Sequence, residues 1–328
     1  MWWISYRGEG KAGVENIGVF EDDGTPRKQH PLLLDPSPKA HPLYIARGFV
    51  QVGDDLYIAN AWRKDSHIAR YRRHGDTFHF AEVVVTAGQL AAMVHPFDVE
   101  FGDDGLVYVS CQDTNTVIAF EPKTRKPVPV ASHLQESFPD GNFLPGTVVA
   151  SSQGNLPEAG AQPPVDVPHP QGLKVVLDVH GKPRHSVRGI VIHRQHLYVA
   201  GEAGNVVKVY ELKTGRLVAR IKGRKLAKPV HMVLHGDTLY IGAAGTGSIL
   251  AYDIPKEAPR GKLKPRTVID AKLKAPSGFA IGPDGDIYVA ERFHQRVRRF
   301  SAKGKSKGTF IDGLPDMPEF LVHVPNRR

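Results

Sequence analysis

The sequence predicts an all-β protein, a single domain over residues 1–328 built as a six-bladed β-propeller closed by N- and C-terminal strands in one blade. Three observations carry the expectation. Turn formers are abundant, with 33 Gly and 26 Pro in 328 residues. One unit of short apolar runs and Gly/Asp turns recurs along the chain. The two ends read as complementary fragments of one more unit.

The composition sets the frame. Hydrophobic residues make up 41% and charged residues 23%, which suits a folded globular chain and excludes a disordered one. No apolar run approaches the roughly 18 residues that span a bilayer, and Met1 to Arg7 lacks the pattern of a signal peptide. The lone Cys111 excludes an internal disulfide and is expected as a small apolar filler. A cytoplasmic monomer with no membrane association is the resulting expectation.

The repeat is clearest in two places. Gly278-Phe279-Ala280-Ile281-Gly282-Pro283-Asp284-Gly285-Asp286-Ile287-Tyr288-Val289-Ala290 precedes Arg296-Val297-Arg298-Arg299-Phe300. Asp98 to Ser110, followed by Thr116 to Phe120, has the same form. Shorter copies contain Leu56-Tyr57-Ile58, Leu197-Tyr198-Val199 and Leu239-Tyr240-Ile241. Asp-Gly between apolar runs is a hairpin signal, and Val, Ile, Tyr and Phe in runs this short favour strands. From the second-strand Tyr to the aromatic that closes the third strand is 12 residues in four units, from Tyr108 to Phe120, Tyr198 to Tyr210, Tyr240 to Tyr252 and Tyr288 to Phe300.

The second-strand aromatics Trp3, Tyr57, Tyr108, Tyr198, Tyr240 and Tyr288 are spaced by 54, 51, 90, 42 and 48 residues, and 43 close the circle. Pro318 to Val324 reads as a first strand without a second. Trp2 to Ser5 and Glu15 to Phe20 read as second and third strands without a first. A ring closed this way protects its sheet edges. The spacing of 90 admits two readings. One is an inserted loop at about 131–172, favoured by five prolines between 157 and 170. The other is a seventh, degenerate blade in 125–186. In that second reading Pro145 to Ala150 supplies a first strand and Gly172 to Leu177 an outer strand, whereas a long insertion in a compact domain often serves as a lid.

These residues resemble the NHL-repeat propellers, whose unit runs Pro-x-Gly-apolar, Asp-Gly, apolar-Tyr-Val-Ala-Asp, then Arg-Val-x-x-Phe. Pro276 to Phe300 matches best, and the likeness covers most of the chain outside about 121–186. The group is similar to peptidyl-hydroxyglycine amidating lyases, gluconolactonase-like hydrolases and strictosidine synthases, six-bladed and active at the axis. The resemblance implies a lyase or hydrolase acting on a small anionic organic substrate. The strand starts here read Pro276-Ser277-Gly278 and Pro229-Val230-His231, not the Pro-His-Gly of the amidating lyases. NHL propellers within larger proteins bind RNA or protein partners, which implies a non-catalytic module as the alternative.

In a propeller the starts of the first strands and the loops between second and third strands share one face. Here they carry many His, Arg and carboxylate residues. His95, His231 and Glu319 fall on alternate blades and form a candidate set for a divalent metal, Zn or Ca. Alternatively, His95 before Pro96 caps a strand and His231 is a core histidine. Arg188 and Tyr6 are candidate catalytic groups. Arg47, Asp98, Arg292, Glu291 and Trp62 are candidate substrate-binding groups, the arginines because a guanidinium grips carboxylate or phosphate in bidentate fashion. Pairing of the arginines with Asp98, Glu202 and Glu291 is the competing expectation.

Residues 212–328 carry a net charge of +13 and residues 1–211 a net −4. Such a half attracts nucleic acid or other polyanions. A solvated, solubilising rim is the favoured reading, and no aromatic residues alternate with the lysines as single-strand stacking requires. A small-molecule substrate is therefore the favoured partner over nucleic acid.

Overall fold

Short runs of Val, Ile and Tyr cut by tight turns satisfy their backbone groups by pairing with their neighbours in sequence. They do so here in six antiparallel sheets. The structure, a computed structural model, describes residues 1–8, 15–35, 43–87, 93–122, 187–212, 215–256 and 263–325, with the strand Lys174–Asp178 described by its backbone. The expected inserted loop at about 131–172 lies outside the described residues.

Blade 1 runs from its inner strand Ala46–Val52 through Asp55–Asn60 and His67–His74 to Thr77–Thr86. Blade 2 comprises Pro96–Phe101, Val107–Cys111, Thr116–Phe120 and Lys174–Asp178. Blade 3 comprises Val187–His193, His196–Gly201, Val206–Glu211 and Leu217–Lys222. Blade 4 comprises Pro229–His235, Thr238–Ala243, Ser248–Asp253 and Arg266–Asp270. Blade 5 comprises Pro276–Ile281, Ile287–Glu291, Arg296–Phe300 and Ser306–Ile311. The closing blade has Pro318–His323 as its inner strand, then Trp2–Tyr6 and Ile17–Phe20. Its outer edge is met by bridges from Pro26 to Phe20 and from Leu32 to Gly18.

The six-bladed reading holds. Lys174 pairs with Ala119 and Asp178 with Thr116, so the spacing of 90 is one blade whose outer strand follows an insertion. The chain ends zip as expected, with Trp3 opposite Val322 on one side and Val19 on the other. Contacts between consecutive inner strands run all the way round, including Pro318–His323 against Ala46–Val52.

The core lies between the blades. Tyr57, Tyr108, Tyr198 and Tyr288 are buried, as are Phe120, Tyr210, Tyr252 and Phe300. At the seam Trp2 packs on Tyr288 with ring centroids 4.2 Å apart, and Trp3 meets Phe78 edge-on at 5.8 Å. The two tryptophans thus bind the closing blade to both neighbours. Among the described residues, no helix is long and apolar enough to cross a membrane.

All six inner strands share a β-bulge near their start. In blade 1, Ala46 faces Asn60 and Phe49 faces Ile58, so Arg47 and Gly48 together oppose Ala59. The same slip leaves Arg188 and Gly189 in blade 3, Val230 and His231 in blade 4, Ser277 and Gly278 in blade 5, and Glu319 and Phe320 in the closing blade. In blade 2 it falls between Pro96 and Asp98. A bulge twists a strand locally and re-aims a side chain, here at one level around the ring.

Glycine lets the bulges approach each other. A Cβ on Gly48 would lie 2.7 Å from Asp98 Cα, one on Gly189 2.8 Å from the Val230 carbonyl, and one on Gly278 2.6 Å from the Glu319 carbonyl. Three glycines on alternate blades therefore each receive the bulge of the next blade.

Candidate functional site

Arg47 and Glu319 are the first residues of their bulges, and both are buried, at 7% and 2% exposure. Arg47 Nη1 and Glu319 Oε1 form an ion pair between blade 1 and the closing blade. Arg292, from the turn after the second strand of blade 5, places Nη2 2.8 Å from the same oxygen. One carboxylate oxygen thus serves two guanidinium groups from opposite sides. The arrangement leaves donors over. Arg47 Nε and Arg292 Nε are buried with no hydrogen-bond partner among the described residues, and Arg47 Nη1 lacks hydrogen-bond alignment.

Further cations close the ring. Burial holds the Arg292 guanidinium below its usual range, and the positive charges of Arg47, Arg7 and Arg188 reinforce the effect while Glu319 opposes it. Arg188, the first bulge residue of blade 3, donates from Nε to Glu202 Oε2 at 2.6 Å. Its Nη1 meets Gln112 of blade 2, and its guanidinium lies 5.1 Å from the centroid of the Phe97 ring. Five of the six blades contribute to this mouth, where Arg47 and Arg292 share the one Glu319 oxygen and Arg188 takes Glu202.

His95 sits at the edge of the same mouth. It precedes its strand in a left-handed conformation, φ 56°, with its N–H donating to Ser66 Oγ at 3.0 Å. Its Nδ1 lies 3.4 Å from Asp113 Oδ1, and neither ring nitrogen has a hydrogen bond of good geometry. Burial lowers its basicity, as do the charges of Arg47 and Arg63, while Asp113 acts in the opposite sense. The ring is therefore neutral at neutral pH. Burial alone would raise Asp113, but His95 and Arg63 outweigh it and hold that carboxyl well below the usual range. Arg63 Nε donates to Asp113 Oδ2 at 2.5 Å.

The remaining sequence candidates separate. His231 is a core residue, its ring edge-on between Phe279 and Phe320 at 5.3 and 5.0 Å. Burial pushes it down to about 4, with a hydrogen bond to the Phe279 backbone in partial opposition. His95, His231 and Glu319 fall before the bulge, on its second residue and on its first, so alternate blades do not bring them to one point. Among the described residues no group of three or more His, Cys, Asp or Glu side chains is placed to hold a metal.

Asp98 accepts the backbone N–H groups of Val99 and Ile190 at 2.9 and 3.0 Å and ties blade 2 to blade 3. Burial pushes it up to about 7, against those two hydrogen bonds. Glu291 turns away from the mouth. Its Oε1 accepts Lys274 N–H at 2.9 Å and its Oε2 accepts Arg296 Nε at 2.8 Å. Tyr6 faces the seam with blade 5, lining a cavity of about 300 Å³ with Gly18, Phe20, Phe310 and Leu314, and burial raises its hydroxyl. Trp62 stays on the rim, stacked on Tyr44 at 4.1 Å.

Of the expected arginine partners, Glu202 takes Arg188, whereas Glu319 takes Arg47 and Arg292. Phe97, Phe320 and Phe293 were not singled out in the sequence. The regular recurrence of the strand start, with a bulge after it, is the signal that could have pointed to the first two.

No family model matches this chain, and no curated protein matches it in sequence. Solved structures share its fold. A nidogen/laminin complex is similar over 98% of this chain and 96% of that one, with 13% identity and a TM-score of 0.60. A catalytically inactive histidine-to-alanine variant of virginiamycin B lyase from Staphylococcus aureus, with quinupristin, is similar over 84% of this chain and 73% of that one, with 12% identity and a TM-score of 0.51. The selenomethionine form of that lyase gives 11% identity, the same coverage and a TM-score of 0.50. At such identities the likeness is one of architecture, and the fold hosts unrelated functions. The NHL membership suggested by the motifs therefore stands only as the coarser finding of a six-bladed propeller.

Proposed function

We propose that the arginine-lined mouth binds a small organic anion and turns it over in a lyase or hydrolase step. One observation carries the reading: Arg47 and Arg292 share a single buried oxygen of Glu319 and, among the described residues, keep buried Nε donors unspent. Buried charge without sufficient opposite charge is costly, and an incoming carboxylate or phosphate would supply both the charge and the acceptors.

The roles follow from chemistry. Arg47, Arg292 and Arg188 orient the anion and stabilise charge that develops on it. His95, neutral through burial and flanked by Asp113, is the proton acceptor. In a hydrolysis it takes the proton of the attacking water. In an elimination it takes the proton from the carbon next to the one that loses the leaving group. A lyase of this fold that a single histidine-to-alanine change inactivates is consistent with such a role for a histidine. Because the three metal candidates do not converge, no step is assigned to a metal.

The test is turnover of 4-nitrophenyl esters that carry a carboxylate or a phosphate. Arg47→Gln and His95→Gln should each lower kcat/KM by at least about 100-fold. Full turnover in both variants would overturn the reading.

One observation favours a second reading, polyanion binding at a different place. Lys225, in the connection from blade 3 to blade 4, donates to Thr267 on the outer strand of blade 4 at 3.0 Å, and Gly304, in the turn before the outer strand of blade 5, packs on the Val268 carbonyl of blade 4. These contacts join the outer edges of three blades into one rim. On it the exposed Lys222, Arg224, Lys264, Lys303 and Lys305 make no ion pair among the described residues. Lysines on edge strands also guard against aggregation. Duplex nucleic-acid affinity that falls steeply with salt would support binding, and none at low salt would remove it.

A further inference from the structure

The aromatic residues around the mouth narrow the kind of anion it takes. Phe293 is 71% exposed, and the other exposed large hydrophobics among the described residues are Phe101 and Val322. Those two lie near the far ends of their inner strands. Phe293 instead follows Arg292 directly in the helical turn Arg292–His294, at the mouth.

That turn is held firmly. Glu291 before it is fixed by Lys274 and Arg296, and Gln295 after it has φ 47°. Gln295 donates to the Arg292 carbonyl at 3.1 Å and accepts Leu314 N–H at 2.9 Å. A phenyl ring in water on so constrained a turn is an apolar surface without a partner. On the other side of the closing blade Trp62 stacks on Tyr44, on the loop that leads to Arg63. The turn that carries Arg292 and the turn that carries Arg63 thus each bring an aromatic residue with them, Phe293 on blade 5 and Trp62 on blade 1.

From this juxtaposition we propose that the ligand is an amphipathic organic anion, with a carboxylate or phosphate head on Arg47 and Arg292 and an aryl body against Phe293. The inference rests on the anion reading above and adds a second requirement to it. Ligand sites commonly pair an apolar wall with a few charged groups that fix orientation. A purely inorganic anion would leave Phe293 in water, whereas an aryl anion would cover it.

Calorimetric titration with four probes tests this: acetate, benzoate, inorganic phosphate and phenyl phosphate. Benzoate should bind about tenfold more tightly than acetate, and phenyl phosphate about tenfold more tightly than phosphate, as expected for burying part of a ring. Phe293→Ser, a change at an exposed position, should bring each aryl anion down to the affinity of its simple counterpart. Equal affinities of aryl and simple anions in the parent protein would overturn this inference and leave the anion site standing. An aryl preference that survives in Phe293→Ser would also overturn it. Binding of none of the four would overturn the anion reading itself.

Discussion

Arg47 and Glu319 are 272 positions apart in sequence, yet they form a buried ion pair across the seam where the ring closes. Each is the first residue of a bulge at the same level of its inner strand. The pair therefore joins two properties of the molecule. Closure of the ring brings the residues together, and their chemistry, with that of Arg292, sets the character of the mouth.

Removal of the central carboxylate should expose the cost of the arginines. Glu319→Gln keeps the shape but leaves Arg47 and Arg292 without their counter-charge. Loss of one partner of a buried pair costs about 3–5 kcal/mol, so urea unfolding should show a loss of that order. Phosphate should then stabilise the variant more than it stabilises the parent protein. An unchanged unfolding midpoint would mean that the carboxylate is not what balances these arginines.

His231 should make the fold acid-sensitive. Its pKa falls from 6.5 to about 4 on folding through burial, so between these values the unfolded chain binds more protons. Its contribution is complete above about pH 6.5 and is lost as pH falls towards 4, to a limit of roughly 3 kcal/mol. Asp98, raised to about 7, acts with the opposite slope between its ordinary value and 7. Comparison of the parent protein with His231→Phe isolates the histidine. The variant should lose less stability between pH 6.5 and 4.5, and identical pH profiles would refute the assignment.

The packing of bulge on bulge predicts a third effect. In Gly48→Ala the new Cβ would stand 2.6 Å from Asp98 Oδ1 and 2.7 Å from its Cα. The backbone cannot yield cheaply there, and overpacking of this kind typically costs about 1–3 kcal/mol. Gly53→Ala is the contrast: its Cβ would meet no neighbour, although φ is +62°, so any loss there reports backbone strain alone. Thermal unfolding of the two variants checks the comparison, and a harmless Gly48→Ala would show that the inner strands do not approach so closely.

The ring was legible because its signals are local and repeated. Asp-Gly turns, the Tyr in the second strand of five blades and the 12-residue interval to the next aromatic in four of them all report pairing within one blade. Even the seam could be read, since Trp2 to Ser5 and Pro318 to Val324 each lack a strand that the other supplies. The site was only partly legible. Arg47, Arg188, Arg292, Glu319 and His95 do gather at the mouth, because a strand start or a second-to-third-strand loop in any blade faces that way. What each touches was not legible. A bulge adds one residue to a strand and changes its side-chain direction, so His95, His231 and Glu319 on alternate blades meet different surroundings. Tyr6, also near a loop, turns instead into the gap between blades. Phe293 drew no notice, since exposure of a loop side chain depends on how its turn is anchored.

The central claim is that the arginines of the mouth form an anion site, and the side-chain Nε–H signals of Arg47 and Arg292 in nuclear magnetic resonance test it most directly. On titration with phenyl phosphate both signals should shift together and saturate, and in Glu319→Gln they should do so at lower concentration. If both stay fixed while signals elsewhere on the molecule move, the mouth does not bind the anion and the account is contradicted.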